Sequence, residues 1–112
     1  MQREDKRSSG QSVQALTVKI QEILDTAKPY FPGGITTTPT HGSYSGVENA
    51  GSLISWNCGG PEAVIAITLN AYGLFRVNSN QVGTRPALDV ALVYYVEDVL
   101  RLAHDKVMNP EQ

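Results

Sequence analysis

Cysteine is nearly absent from the chain: Cys58 is the only one in 112 residues, so no intramolecular disulfide can form. Long apolar runs are missing too. The longest nearly uninterrupted stretches, Ala63 to Leu69 and Val90 to Val96, fall far short of the roughly 20 residues that cross a bilayer, so no membrane span or membrane partner is expected. There is no excess of positive charge. Nine Lys and Arg stand against eleven Asp and Glu, and three of the nine sit in the first seven positions, leaving no basic stripe to follow a phosphate backbone. Nucleic acid is therefore not expected as a partner. The start, Met1-Gln2-Arg3-Glu4-Asp5-Lys6, is charged where a secretory signal needs an apolar core, and with the lone cysteine this gives the expectation of a reducing, cytoplasmic setting.

What remains is enough for one modest core, with 41% apolar and 18% charged residues. Residues 1–10 carry charge, Ser and Gly without apolar periodicity and read as a disordered tail; residues 11–108 read as a single α+β domain and 109–112 as a short C-terminal tail. From Ser12 the pattern turns helical: Val13, Leu16, Ile20, Ile23, Leu24 and Ala27 recur at three- and four-residue steps. Ser12 suits the N-cap, and Pro29 ends the helix, which is predicted over 12–28. Residues 29–51 then hold three of the six prolines and five of the ten glycines, predicting a long, mobile connector with at most one extended segment at Ile35–Thr38.

Three short strands follow in the reading, Ser52–Cys58, Glu62–Leu69 and Leu74–Asn78, separated by Gly59-Gly60-Pro61 and Asn70-Ala71-Tyr72-Gly73. In the middle one, Ile65, Ile67 and Leu69 alternate with Val64, Ala66 and Thr68, as expected of a strand covered by helices on one face. A long helix begins near Thr84-Arg85-Pro86 and runs to about Met108. The expected architecture is thus helix, long loop, three-stranded antiparallel meander, long C-terminal helix.

Few residues offer chemistry. Cys58 could act as a nucleophile only with a base in reach, the candidates being His41, His104 and Glu62, whereas its place after Ile54 and Trp56 on one strand face reads more simply as a small core residue. His41 and His104 lie far apart, with no ligand spacing to a carboxylate or to Cys58, so no metal is expected; no glycine-rich strand-to-helix turn precedes a Lys-Ser or Lys-Thr pair, so no nucleotide cofactor is expected either. A lone Trp on an alternating strand, as Trp56 is, belongs to a core.

The Thr38-Pro39-Thr40-His41-Gly42 loop ahead of Leu53-x-x-Trp56, a Gly turn, an alternating strand and a helix resembles a group of short prokaryotic proteins to which no activity is attached. That resemblance implies a bacterial or phage setting and carries over no catalytic residues. The initial helix followed by a meander is also similar to secretion chaperones, which implies a small dimer; further strands before the last helix are lacking here.

The last helix carries two apolar stripes. Leu88, Leu92, Tyr95, Val99 and Leu102 form one, and Val93, Val96, Leu100, Ala103 and Val107 the other. If the sheet and the first helix cover only the first, then Val93, Tyr94, Val96, Leu100, Ala103 and Val107 are left for a protein partner or a second copy of the chain. The functional expectation is a non-enzymatic protein-binding module of the antitoxin, immunity or adaptor kind. A small cysteine-dependent enzyme using Cys58 with His41 is the alternative, and a chaperone-like dimer the second.

Overall fold

Ser12 caps helix α1, Val13–Ala27, as the sequence predicts: its Oγ accepts from the Ala15 backbone N–H at 3.2 Å. The computed structural model describes residues 12–56, 63–79 and 90–110. Leu16, Ile20, Ile23, Leu24 and Ala27 are buried along one stripe of α1, and a single 3₁₀ turn, Lys28–Tyr30, with Pro29 in its first turn leads off it.

The segment expected to be a long connector is instead a hairpin. Strand β1, Thr36–Tyr44, pairs antiparallel with β2, Val47–Trp56, in unbroken register from Thr36↔Ser55 to Tyr44↔Val47. The connection is two residues, Ser45 and Gly46, with φ of 52° and 78°; positive φ at both marks a turn whose twist matches that of the strands it joins, and Gly46 takes that conformation freely. The sheet continues antiparallel through β3, Ala63–Asn70, and β4, Phe75–Asn78, giving four strands in the order β1-β2-β3-β4. The three-stranded expectation is corrected to four. β1 escaped notice because Thr, Pro, His, Gly and Ser bring no apolar alternation; almost every residue in it is exposed, and it exists through its ladder to β2.

Helix α2, Val90–Met108, completes the chain, so the order of elements is α1, β1, β2, β3, β4, α2. The helix start expected at Thr84-Arg85-Pro86 lies outside the described residues, as do Leu88, the 1–10 tail, Cys58 and the Gly59-Gly60-Pro61 turn. Among the described residues no helix is long and apolar enough to cross a membrane.

Both helices pack on the same face of the sheet. There Ala50, Ile54 and Trp56 of β2 and Ala63, Ile65, Ile67 and Leu69 of β3 are buried together with Leu16, Ile23, Val96 and Leu100. Phe75 and Val77 of β4 join from the margin. Gly51 is needed where β2 meets β3: a Cβ there would collide with the Ile67 carbonyl and crowd the Thr40 hydroxyl.

A two-residue turn closes on a hydrogen-bonded pair, and such pairs alternate along an antiparallel ladder. Thr36, Thr38, Thr40, Gly42 and Tyr44 therefore turn their amides toward β2, while Thr37, His41 and Ser43 turn theirs to the free edge together with the donorless nitrogen of Pro39. Residue-resolved amide exchange should alternate accordingly, with Thr38, Thr40 and Gly42 slower than Thr37, His41 and Ser43. Uniformly fast exchange over 36–44 would return this segment to the status of a loop.

Candidate functional site

Of the residues expected to meet a partner, four are inside. Val93, Val96, Leu100 and Ala103 are buried in the core and Val107 is half-buried against it, while Tyr94, 61% exposed, points outward. The expected order of the two stripes is thereby reversed. In the first stripe Val99 is buried and Leu92 half-buried, whereas Tyr95 and Leu102 are 41% and 48% exposed. The reason is the lateral position of α1, which packs beside α2 on the same sheet face, so that the sheet and α1 together absorb the arc centred on Val96 and Leu100.

Tyr95 is held despite its exposure. Its hydroxyl donates to the Tyr30 carbonyl at 2.5 Å, and its ring meets Trp56 at 5.5 Å and stands edge-on to Phe31 at 6.2 Å. Phe31 and Trp56 are 5.2 Å apart, and the indole N–H of Trp56 donates to the Pro32 carbonyl at 3.0 Å. The three rings therefore pin the turn after α1 to the end of β2 and to α2. Lys106 extends the attachment by donating to the Tyr30 hydroxyl at 3.0 Å. Trp56 is thus a core residue, as read from the sequence.

His41, expected in the long loop and weighed as a base for Cys58, stands exposed in β1 opposite Ala50; with Cys58 outside the described residues, the pair has no described geometry. His104 stacks on Phe75, centroids 4.2 Å apart, with its Nδ1 3.7 Å from Asp105 and its buried Nε2 without a hydrogen-bond partner among the described residues. Among these residues no group of three His, Cys, Asp or Glu could hold a metal ion.

The surface that the sequence did not single out is the other side of the sheet. No described helix lies on it. Strand alternation and register place Thr36, Thr38, Thr40 and Tyr44 there from β1, Val47, Asn49, Leu53 and Ser55 from β2, Val64, Ala66, Thr68 and Asn70 from β3, and Arg76 and Asn78 from β4. Among the described residues Arg76 is the only charged side chain on these strand positions; the acids and bases of the helices, Lys19, Glu22, Asp25, Glu97, Asp98, Arg101, Asp105 and Lys106, belong to elements packed on the opposite face of the sheet. At one end, between the β1–β2 and β3–β4 turns, the face sinks into a cleft of about 400 Å³ lined by Tyr44, Ser45, Val47, Asn49, Thr68, Asn70, Leu74 and Arg76. Tyr44 and Leu74, 79% and 50% exposed, form its apolar rim.

Known proteins offer no guide to these features: no family model matches the chain, and neither a curated protein nor a solved structure matches it significantly.

The two adjacent tyrosines give a direct check on the placement of α2. Tyr95→Ala should cost about 2–3 kcal/mol of unfolding free energy through lost ring packing and the lost hydrogen bond, and Tyr94→Ala should stay within about 0.5 kcal/mol. Denaturant titration reads both, and a larger loss for Tyr94 would contradict the described orientation.

Proposed function

We propose that this chain is a protein-binding module, of the adaptor, antitoxin or immunity kind, and that it receives its partner on the face of its sheet that no described helix covers. The observation that carries the reading is the near absence of charge from that face. A sheet face kept only for solvent gains solubility from Lys and Glu, and the core of a protein interface is depleted of them. Here Leu53, Val64, Ala66 and Thr68 are half-buried small or apolar side chains with hydroxyls beside them, and Tyr44 and Leu74 are exposed at the end. Four strands at about 4.8 Å, of 9, 10, 8 and 4 residues at about 3.3 Å each, make a surface of roughly 500 Å², close to one partner's share of a small interface.

The free edge of β1 is the less suitable surface. Pro39 removes a donor from it, a device that blunts strand addition, whereas the face is continuous across all four strands. With Val93, Val96, Leu100 and Ala103 buried, docking through the second stripe of α2 would require the fold to open; Tyr94 alone of that set stands free for contact.

Co-purification from the native host separates the surfaces. A stoichiometric partner should be retained by the wild-type chain and by Tyr94→Glu on α2, and lost with Val64→Lys or Leu53→Glu, each variant first shown folded by circular dichroism. Sedimentation of the purified chain covers the homodimer: a dimer made monomeric by Val64→Lys would place a second copy on the same face. A partner lost with Tyr94→Glu and kept with Val64→Lys, or none retained by any form, would overturn the reading.

A further inference from the structure

We infer that the cleft at the hairpin end of the open face binds an acidic side chain, Asp or Glu, carried by an extended segment of the protein partner. The inference rests on the reading of that face as a protein-binding surface and goes beyond it by naming the chemistry of what is bound.

Arg76 supplies the first reason. It projects from β4 directly opposite Thr68, and among the described residues its guanidinium has neither a carboxylate nor a hydrogen-bond acceptor as partner. A guanidinium presents a planar fork of donors matched to a carboxylate, and among the described strand positions of this face no acid stands beside Arg76 to compete. The floor supplies the second. The Oδ1 of Asn70 already accepts from the Tyr72 and Leu74 backbone amides at 2.9 and 3.0 Å, which leaves its amide nitrogen as a donor. Asn49 lies across from Asn70 in the register, and Asn49 and Thr68 have no side-chain hydrogen bond among the described residues. The cleft thus joins one cation to three further hydrogen-bonding side chains, with Tyr44, Val47 and Leu74 as apolar walls for the residues flanking the acid.

A bound peptide fits better than a free small acid. Tyr44 and Leu74 leave the cleft open to solvent, and an open cleft cannot enclose the greater part of a small ligand's surface. A partner whose neighbouring residues lie along the sheet brings its own cover.

The probe is the capped peptide Ac-Ala-Leu-Glu-Leu-Ala-NH2, titrated into the ¹⁵N-labelled chain beside its Gln counterpart and free glutarate. The Glu peptide should shift the Arg76 side-chain Nε–H and the amides of Asn49 and Thr68, and bind about tenfold tighter than the Gln peptide. Arg76→Gln, checked for unchanged melting temperature, should abolish that preference. Equal binding of the Glu and Gln peptides, a preference that survives Arg76→Gln, or glutarate binding as tightly as the peptide would each overturn the inference. Its failure is separable from failure of the surface itself: co-purification lost with Val64→Lys but untouched by Arg76→Gln would leave the open face standing and remove the acid site.

Discussion

Among the described residues, helices cover this sheet on one side only, and most of the molecule follows from that. Ile65, Ile67 and Leu69 alternate with Val64, Ala66 and Thr68 along β3, and the pleat sends the first set under α1 and α2 and the second to the open side. A one-residue slip would exchange the sets, placing the isoleucines in water and threonine in the core, so the register is fixed by burial. Gly51 on β2 lets β2 and β3 approach where a side chain would strike the Ile67 carbonyl. The Phe31, Trp56 and Tyr95 rings then fasten the chain leaving α1 to the end of this core, with the indole and phenol donors satisfied by backbone carbonyls.

Function in this account lies with the side that the core does not use. A strand buried on one face must still present something on the other, and here that is small, uncharged and rich in hydroxyl and amide groups, with Arg76 as the charged exception among the described residues. The cleft forms where two turns rise at the end of the sheet, Ser45-Gly46 on one side and Ala71 to Leu74 on the other, so its shape follows from the turns and its chemistry from strand positions.

Much of this was legible in the sequence because it is local. The spacing of Leu16, Ile20, Ile23 and Ala27, the Ser12 cap and the alternation of β3 each follow from one element's own periodicity. β1 was not legible by apolar pattern, since a polar edge strand has none; the signal was the Ser45-Gly46 dipeptide between Tyr44 and Val47, a tight-turn pair flanked by β-favouring residues. The stripes of α2 were readable as stripes, but which of them is covered depends on where α1 lies, and helix position is not encoded in helix periodicity. The grouping of Arg76 with Asn49, Asn70 and Thr68 likewise required the register, because these residues come from three strands.

Solvent paramagnetic relaxation of methyl groups, with a soluble gadolinium chelate and the free protein at low concentration, tests the central claim most directly. Methyls of Leu53, Val64 and Ala66 should relax strongly, while those of Ile54, Ile65, Val96, Leu100 and Ala103 should be protected. Protection of Val64 and Leu53 equal to that of Ile65, or strong relaxation at Val96 and Leu100, would contradict the account by showing the sheet covered on its open side or the last helix turned over.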